Sequence, residues 1–262
     1  MAQTVGFAHN NLSLARLPQS LQSLVILLSQ TSSMTSKRVE QYLVQANVSS
    51  EDLQPWTTFN HSVTDSYGRQ LVYDGGYFEI MVMSWLPGDV SAIHDHGQAQ
   101  WGAVQCFGSG THTVHRLAGT QLATESETAL VPTQIVRVSH DLIHQMSNHS
   151  PERFLSLHVY GCYDRQDSIT GNARIFDLLE GRVQHTNGGV FFCLPESEII
   201  GRGQILQADR LTTLKHHQQM RDRLLKILSN VEANTNLGYW QSKLVLVESK
   251  IQELSTAISL VG

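Results

Sequence analysis

A chain of 262 residues, 41% of them hydrophobic, can bury a sizeable core in one large domain or in one domain with appendages. Charged residues make up only 16%, the net charge is −5 and Lys and Arg form no run, which argues against nucleic-acid binding. Three cysteines, Cys106, Cys162 and Cys193, are too few for a disulfide framework and predict a reducing compartment, the cytoplasm.

The opening MAQTVGFAHNNLSLAR has no basic segment followed by an apolar core, so no secretory leader is expected. The uncharged stretch from Leu17 to Ser36 is interrupted throughout by Gln and Ser, and reads as an amphipathic helix, not a membrane span. Leu17, Leu21, Leu24, Val25 and Leu28 recur at helical spacing, and Pro18 is tolerable in a first turn. Ser50, Glu51 and Asp52 predict a later helix start. Residues 1–60 are thus expected to form an N-terminal helical segment.

From about Gln70 to Leu194 the pattern changes to short apolar runs separated by Gly, Pro, Asn and Asp: YFEIMVMSWL, WGAVQCF, TALVPTQIVRVS and FLSLHVYG. Many short strands joined by turns predict a sandwich or small barrel over 61–200. Residues 205–262 become helical again. Leu224, Leu228 and Val231 form one stripe, and Leu244, Val247, Ile251, Leu254 and Ile258 form an a/d-like seam, with a turn at NTNLG, 234–238. This C-terminal helical hairpin either packs on the barrel or offers a seam for a homo-oligomer.

The chemistry concentrates in PGDVSAIHDHGQ. On a strand, His94 and His96 project from one face and Asp95 from the other. Two imidazoles side by side are costly in a dry interior unless something uses their lone pairs, and a metal does so. A further ligand is needed, and 13 histidines offer choices. His112 and His115 differ in parity and are expected to face opposite ways. His144 is preferred, with His140 the replacement, because several barrel strands fit between His96 and His144. His61, His112, His115, His149, His185, His216 and His217 read as surface or hydrogen-bonded side chains. In LSLHVYG, Ser156, His158 and Tyr160 alternate with apolar residues: either a half-exposed strand or an inward polar row beside the metal. Arg69 opens a strand, and by itself reads as a surface arginine.

Taken together, Tyr67-Gly68-Arg69, Trp85 before a glycine turn, Ile93-His94-Asp95-His96, His144, and Ser156-Leu157-His158-Val159-Tyr160 resemble cysteine dioxygenase in order and spacing over roughly 60 to 165. The resemblance implies a mostly β fold, the cupin double-stranded β-helix or jelly-roll barrel. It implies Fe(II) held by His94, His96 and His144, and a substrate carboxylate gripped by Arg69 with Tyr67 nearby. Tyr160 would supply a hydroxyl beside thiolate and oxygen, oriented by Ser156 and His158. The partners would be a small thiol, L-cysteine in the first place, and O2, with no membrane; the product would be a sulfinic acid. Many cupins carry a Glu ligand a few residues after His-x-His; Gln100 and Trp101 stand there instead, which favours a three-histidine site. Some family members crosslink a cysteine to the tyrosine. Trp101 or Gly102 occupies that position and Cys106 lies further along, so no crosslink is expected, and a bulky Trp101 is expected near the pocket. The rival readings are a cupin enzyme using another divalent metal on a different small carboxylate, and a non-catalytic metal-binding cupin.

Overall fold

The computed structural model describes residues 14–31, 33–166, 168–230 and 237–259. Near the start, helix α1 (Gln19–Ser29) buries Leu21, Leu24, Val25 and Leu28 on one stripe, with Pro18 as the residue before its first turn. Helix α2 (Ser36–Ala46) starts where the Thr35 hydroxyl accepts from the Arg38 amide, and it buries Val39, Leu43 and Ala46. It stops at Asn47, which takes the left-handed conformation (φ 50°) common after a helix C-terminus. The helix expected at Ser50 is a single 3-10 segment, Glu51–Trp56, which contains Pro55.

Twelve strands follow: β1 (Gly68–Asp74), β2 (Phe78–Trp85), β3 (Trp101–Cys106), β4 (Gly110–Ala118), β5 (Gln121–Leu130), β6 (Ile135–Ser139), β7 (Ile143–Ser147), β8 (Phe154–Gly161), β9 (Ala173–Asp177), β10 (Arg182–Thr186), β11 (Gly201–Ile205) and β12 (Gln207–Ala208). One sheet has the order β1-β2-β8-β3-β6. The others are β12-β5-β4-β7 and β11-β10-β9. Residues 90–94 stitch these two together, through single bridges from Val90 to Ser147 and from His94 to both His144 and Ile175. The result is the cupin double-stranded β-helix: two curled sheets facing one another.

Period-two alternation sorts the first sheet cleanly. Phe78, Ile80, Val82, Trp101, Ala103, Leu155, Leu157 and Val159 face outward and are covered by the apolar stripes of α1 and α2. Met81, Met83, Trp85, Val104, Cys106 and Tyr160 face the barrel interior. Trp101 therefore belongs to the layer under the N-terminal helices and not to the interior, contrary to expectation; its strand is buried on both faces, so burial alone could not assign parity.

Helix α3 (Arg210–Leu228) is capped by Asp209, whose carboxylate accepts from the Thr212 amide and hydroxyl. Together with α4 (Leu237–Ser259) it closes a third apolar cluster of Val90, Phe192, Met220, Leu224, Ile227, Trp240 and Val247. Leu244 and Ile251 of the expected seam pack against the same cluster. Val231, most of the expected turn at 234–238 and the Ile258 side chain lie outside the described residues. No helix among the described residues is long and apolar enough to cross a membrane.

Candidate metal centre

His94 and His96 lie on the stitching segment and not on a regular strand. The segment is nonetheless extended at His94, whose amide and carbonyl pair with the carbonyl and amide of His144 on β7 (both 2.9 Å). Gly97 then turns the chain (φ 57°); a side chain there would collide with the Gly171 carbonyl oxygen at 2.1 Å. Asp95 points away from the histidines, as its parity requires, accepting from the Arg174 amide at 2.9 Å and pairing with the Arg174 guanidinium.

His94, His96 and His144 converge. One ring nitrogen from each lies within 4.8 Å of the other two, and all three residues are buried. Nε2 of His96 and Nε2 of His144 are 3.0 Å apart. Two ligand nitrogens at the usual metal–imidazole distance subtend about 3 Å when their angle at the metal is near 90°. The Nδ1 of His94 lies 2.8 Å from the Ala92 carbonyl, which only accepts, so the proton sits on Nδ1 and Nε2 keeps its lone pair. Burial pushes His94 down to about 4, and drives His96 and His144 well below the usual imidazole range, with the neighbouring histidines adding to the shift. The three rings are therefore neutral at physiological pH, the form that ligates a metal. His140, the replacement, is exposed and directs Nδ1 to the Ala99 carbonyl at 3.1 Å.

No carboxylate joins this group among the described residues. Gln100, where many cupins place Glu, uses its side-chain oxygen to accept from the Tyr163 amide at 2.7 Å. Neutral imidazole donors suit a first-row divalent metal ion.

Beside the histidines runs a hydrogen-bonded row on the inner face of β8. The Trp85 indole donates to Ser156 Oγ (2.8 Å), Ser156 Oγ lies 2.7 Å from His158 Nε2, and His158 Nδ1 lies 2.7 Å from the Tyr160 hydroxyl. An indole N–H can only donate. Two arrangements fit the row: Tyr160 donates to His158 Nδ1 and the Ser156 proton is left over, or Ser156 donates to His158 Nε2 and His158 donates from Nδ1 to the Tyr160 oxygen. In the second, the phenolic proton is free to point into the cavity. Tyr160 packs its ring 4.8 Å from His96, and burial raises its pKa, keeping the phenol protonated. Burial likewise holds His158 neutral, at about 3.

Position Gly102 pairs directly with Tyr160 across β3 and β8. A Cβ there would come within 2.5 Å of the Val159 carbonyl oxygen and 2.8 Å of Tyr160 Cδ1. Cys106 pairs instead with Ser156, four residues along β8 from Tyr160. At about 3.3 Å per residue that is beyond the reach of a thiol.

Tyr67, Arg69, Met83, Trp85, the three histidines and Tyr160 border one cavity, of about 480 Å³ with its mouth included. Tyr67 stacks on Trp85 at 4.7 Å, and its hydroxyl accepts from the Val190 amide at 3.3 Å. Arg69 is half-buried and donates to Thr170 Oγ1 at 3.2 Å. Sequence reasoning missed Thr170, Ala173, Gly188 and Val190, which close the far wall from segments with no periodic pattern. It also set aside His112 as an ordinary hydrogen-bonded histidine, and its partner is His144 (2.8 Å). Among the other histidines set aside, His61 pairs with Asp89 (3.0 Å), His185 with Asn172 (2.8 Å), and His149 is exposed. His115 is buried with no partner for Nε2, and His216 and His217 are buried side by side.

A family model described as cysteine dioxygenase type I matches residues 12–166. Similar solved structures include an uncharacterized conserved protein with a double-stranded β-helix domain from Klebsiella pneumoniae: 18% identity over 44% of this chain and 90% of that one, TM-score 0.35. A cupin-2 domain from Rhodospirillum rubrum is 20% identical over 40% of this chain and 66% of that one, TM-score 0.32. A cupin 2 conserved barrel domain protein from Salinispora arenicola is 16% identical over 38% of this chain and 79% of that one, TM-score 0.30. With more than half of its 262 residues inside the matched stretch, this chain belongs to the cysteine dioxygenase type I family.

Proposed function

We propose that the protein is a non-haem Fe(II) dioxygenase that converts a small thiol, L-cysteine in the first place, to its sulfinic acid. The observation that carries this reading is the convergence of three neutral imidazoles, with no carboxylate among the described residues, beside the hydrogen-bonded Tyr160 phenol. In the overall change R–SH and O2 give R–SO2H: sulfur loses four electrons, dioxygen gains four, and no outside reductant is required. Fe(II), held by His94, His96 and His144, would supply a full double charge for the thiolate and a redox centre for dioxygen. The Arg69 guanidinium offers a planar fork for the substrate carboxylate. Thr170 holds that fork at the cavity wall. Tyr160 would donate to the anionic sulfur and oxygen atoms as charge develops, and Trp85, Ser156 and His158 keep its hydroxyl in place. Met81, Met83, Trp85 and Met146 exclude water from the same space. Three free, buried cysteines suit a reducing compartment, and we place the enzyme in the cytoplasm.

The test is oxygen uptake by iron-loaded protein on a panel of cysteine, 3-mercaptopropionate and cysteamine, with sulfinate identified by mass spectrometry. Iron content is measured in parallel on wild type and His144→Ala. Uptake with cysteine, together with loss of iron and turnover in the variant, is expected. Full iron occupancy in His144→Ala would remove His144 from the centre. Metal-dependent turnover without oxygen uptake would move the protein to a different cupin chemistry.

A further inference from the structure

We infer that His112 is a positioning residue of the metal centre: it sets which nitrogen of His144 carries the proton, and thereby presents the lone pair of His144 Nε2 to the metal. The inference rests on the metal-centre reading above and extends it to a residue outside the ligand set. His112 lies on β4, where Val114 pairs with His144 and His112 with Met146. His112 and His144 are therefore diagonal neighbours on one face of the ladder, a separation that long side chains bridge. The contact is His112 Nε2 to His144 Nδ1 at 2.8 Å, between residues 6% and 1% exposed.

The three ligand histidines differ in what holds the nitrogen that faces away from the metal. In His94 that nitrogen meets a backbone carbonyl, which accepts and nothing else, so its tautomer is fixed. In His96 it has no partner. In His144 it meets another imidazole, which can accept or donate. Two arrangements satisfy the pair. If His112 donates, His144 must carry its proton on Nε2, aimed at His96 Nε2 3.0 Å away, and it offers no lone pair to a metal. If His144 donates from Nδ1, His112 accepts at Nε2 and carries its own proton on Nδ1. Only the second is compatible with ligation. From the first arrangement, metal entry requires one proton to pass from Nε2 to Nδ1 on each ring, with no net gain or loss of protons by the pair. Partners of this kind on ligating histidines are typically worth 10–100-fold in metal affinity.

The test uses full-length wild type, His112→Gln, His112→Leu and His144→Ala, titrated with Co(II) followed by its absorption bands. Zinc-loaded, 15N-histidine-labelled wild type and variants give the tautomer of His144 by NMR. Glutamine offers an amide oxygen to accept from Nδ1; leucine offers nothing. His112→Leu is expected to bind Co(II) about 10- to 100-fold more weakly than wild type, and His112→Gln within a few-fold of it. The NMR spectrum of wild type should show His144 protonated at Nδ1. Equal affinity in His112→Leu and wild type, equal losses in the leucine and glutamine variants, or a His144 unprotonated at Nδ1 would each overturn the inference. Failure of the underlying reading looks different: wild type and His144→Ala would then bind Co(II) alike, and the whole centre would fall, His112 with it.

Discussion

Arg223 of α3 is buried against Asp89 and the 63–65 segment, and its loss should be strongly destabilising. Its guanidinium is 2% exposed and donates to Asp89 Oδ1 at 3.2 Å, to the Val63 carbonyl at 2.7 Å and to the Asp65 carbonyl at 2.6 Å. Asp89 is fully buried and also receives Lys226, His61 and the Leu86 amide. Replacing Arg223 by Met keeps much of the apolar stem but leaves a buried carboxylate short of one of its counter-charges and two carbonyls short of a donor. Breaking a buried pair from one side costs about 3–5 kcal/mol. For a chain of this size about 1 kcal/mol moves Tm by roughly 2–4 °C, so a fall of about 6–20 °C is expected in calorimetry of the metal-free protein. Adding Asp89→Asn should recover part of the loss, because the stranded charge is removed while Leu86 keeps an acceptor. A Tm drop below about 2 °C, or no recovery in the double variant, would refute the claim that this ion pair fastens α3 to the barrel.

Arg69→Ala should raise the KM for cysteine by the equivalent of about 2–5 kcal/mol and leave cysteamine, which lacks the carboxylate, little changed; equal losses would make Arg69 structural. Tyr160→Phe should lower kcat by about 2.7–4 kcal/mol in activation terms with iron content intact, and intact mass after turnover should show no loss of two hydrogens; a wild-type rate would reduce Tyr160 to a wall of the cavity. Gly102→Ala places a Cβ against the Val159 carbonyl and the Tyr160 ring, so it should destabilise by about 1–3 kcal/mol and depress kcat together; an unchanged Tm would show that β3 and β8 part easily. His115 and His216, held neutral by burial with values of about 4 and about 3, take up protons on unfolding below about pH 6.5. Their stabilising share is complete above that pH and is lost as pH falls through the interval down to the folded values. Denaturant unfolding should therefore weaken by up to ~1.4 kcal/mol per pH unit for each, and a flat profile from pH 7 to 5 would contradict their burial.

Much of the centre was legible because its signals are local. His94 and His96 share a segment, so their parity could be read without knowing the fold. Ser156, His158 and Tyr160 alternate with Leu155, Leu157 and Val159, and that alternation maps directly onto the two faces of β8. Arg69 was legible only by family resemblance, because one arginine at the start of a strand carries no pattern. His112 was missed because its role depends on the pairing of β4 with β7, and register between distant strands is not written in either strand alone. Trp101 was misplaced for a related reason. With α1 and α2 over one face and the barrel interior on the other, WGAVQC is buried throughout, and period-two reasoning loses its polar reference. Thr170 sits in an irregular turn where neither periodicity nor spacing points at the cavity.

The stretch that matches the family ends at residue 166, yet the centre does not end there. His94 is flanked on one side by His144 of β7 and on the other by Ile175 of β9, so one of its two neighbouring strands comes from beyond the match. The Ala92 amide donates to the Val190 carbonyl, and the Ile93 carbonyl accepts from the Phe176 amide, which fixes the segment just ahead of the ligands. Asp95 owes its outward turn to Arg174, and Arg69 is held by Thr170. Further along, Arg223 and Lys226 of α3 neutralise Asp89, five residues before His94. Apart from the Arg69–Thr170 contact, each takes a backbone or charged group of the 89–95 segment that would be costly to bury alone and gives it a partner from beyond the match. The histidine-bearing segment thus pairs with β7 inside the matched region and with β9 and the loop through Val190 beyond it. The residues beyond the matched stretch are part of what holds the three histidines together.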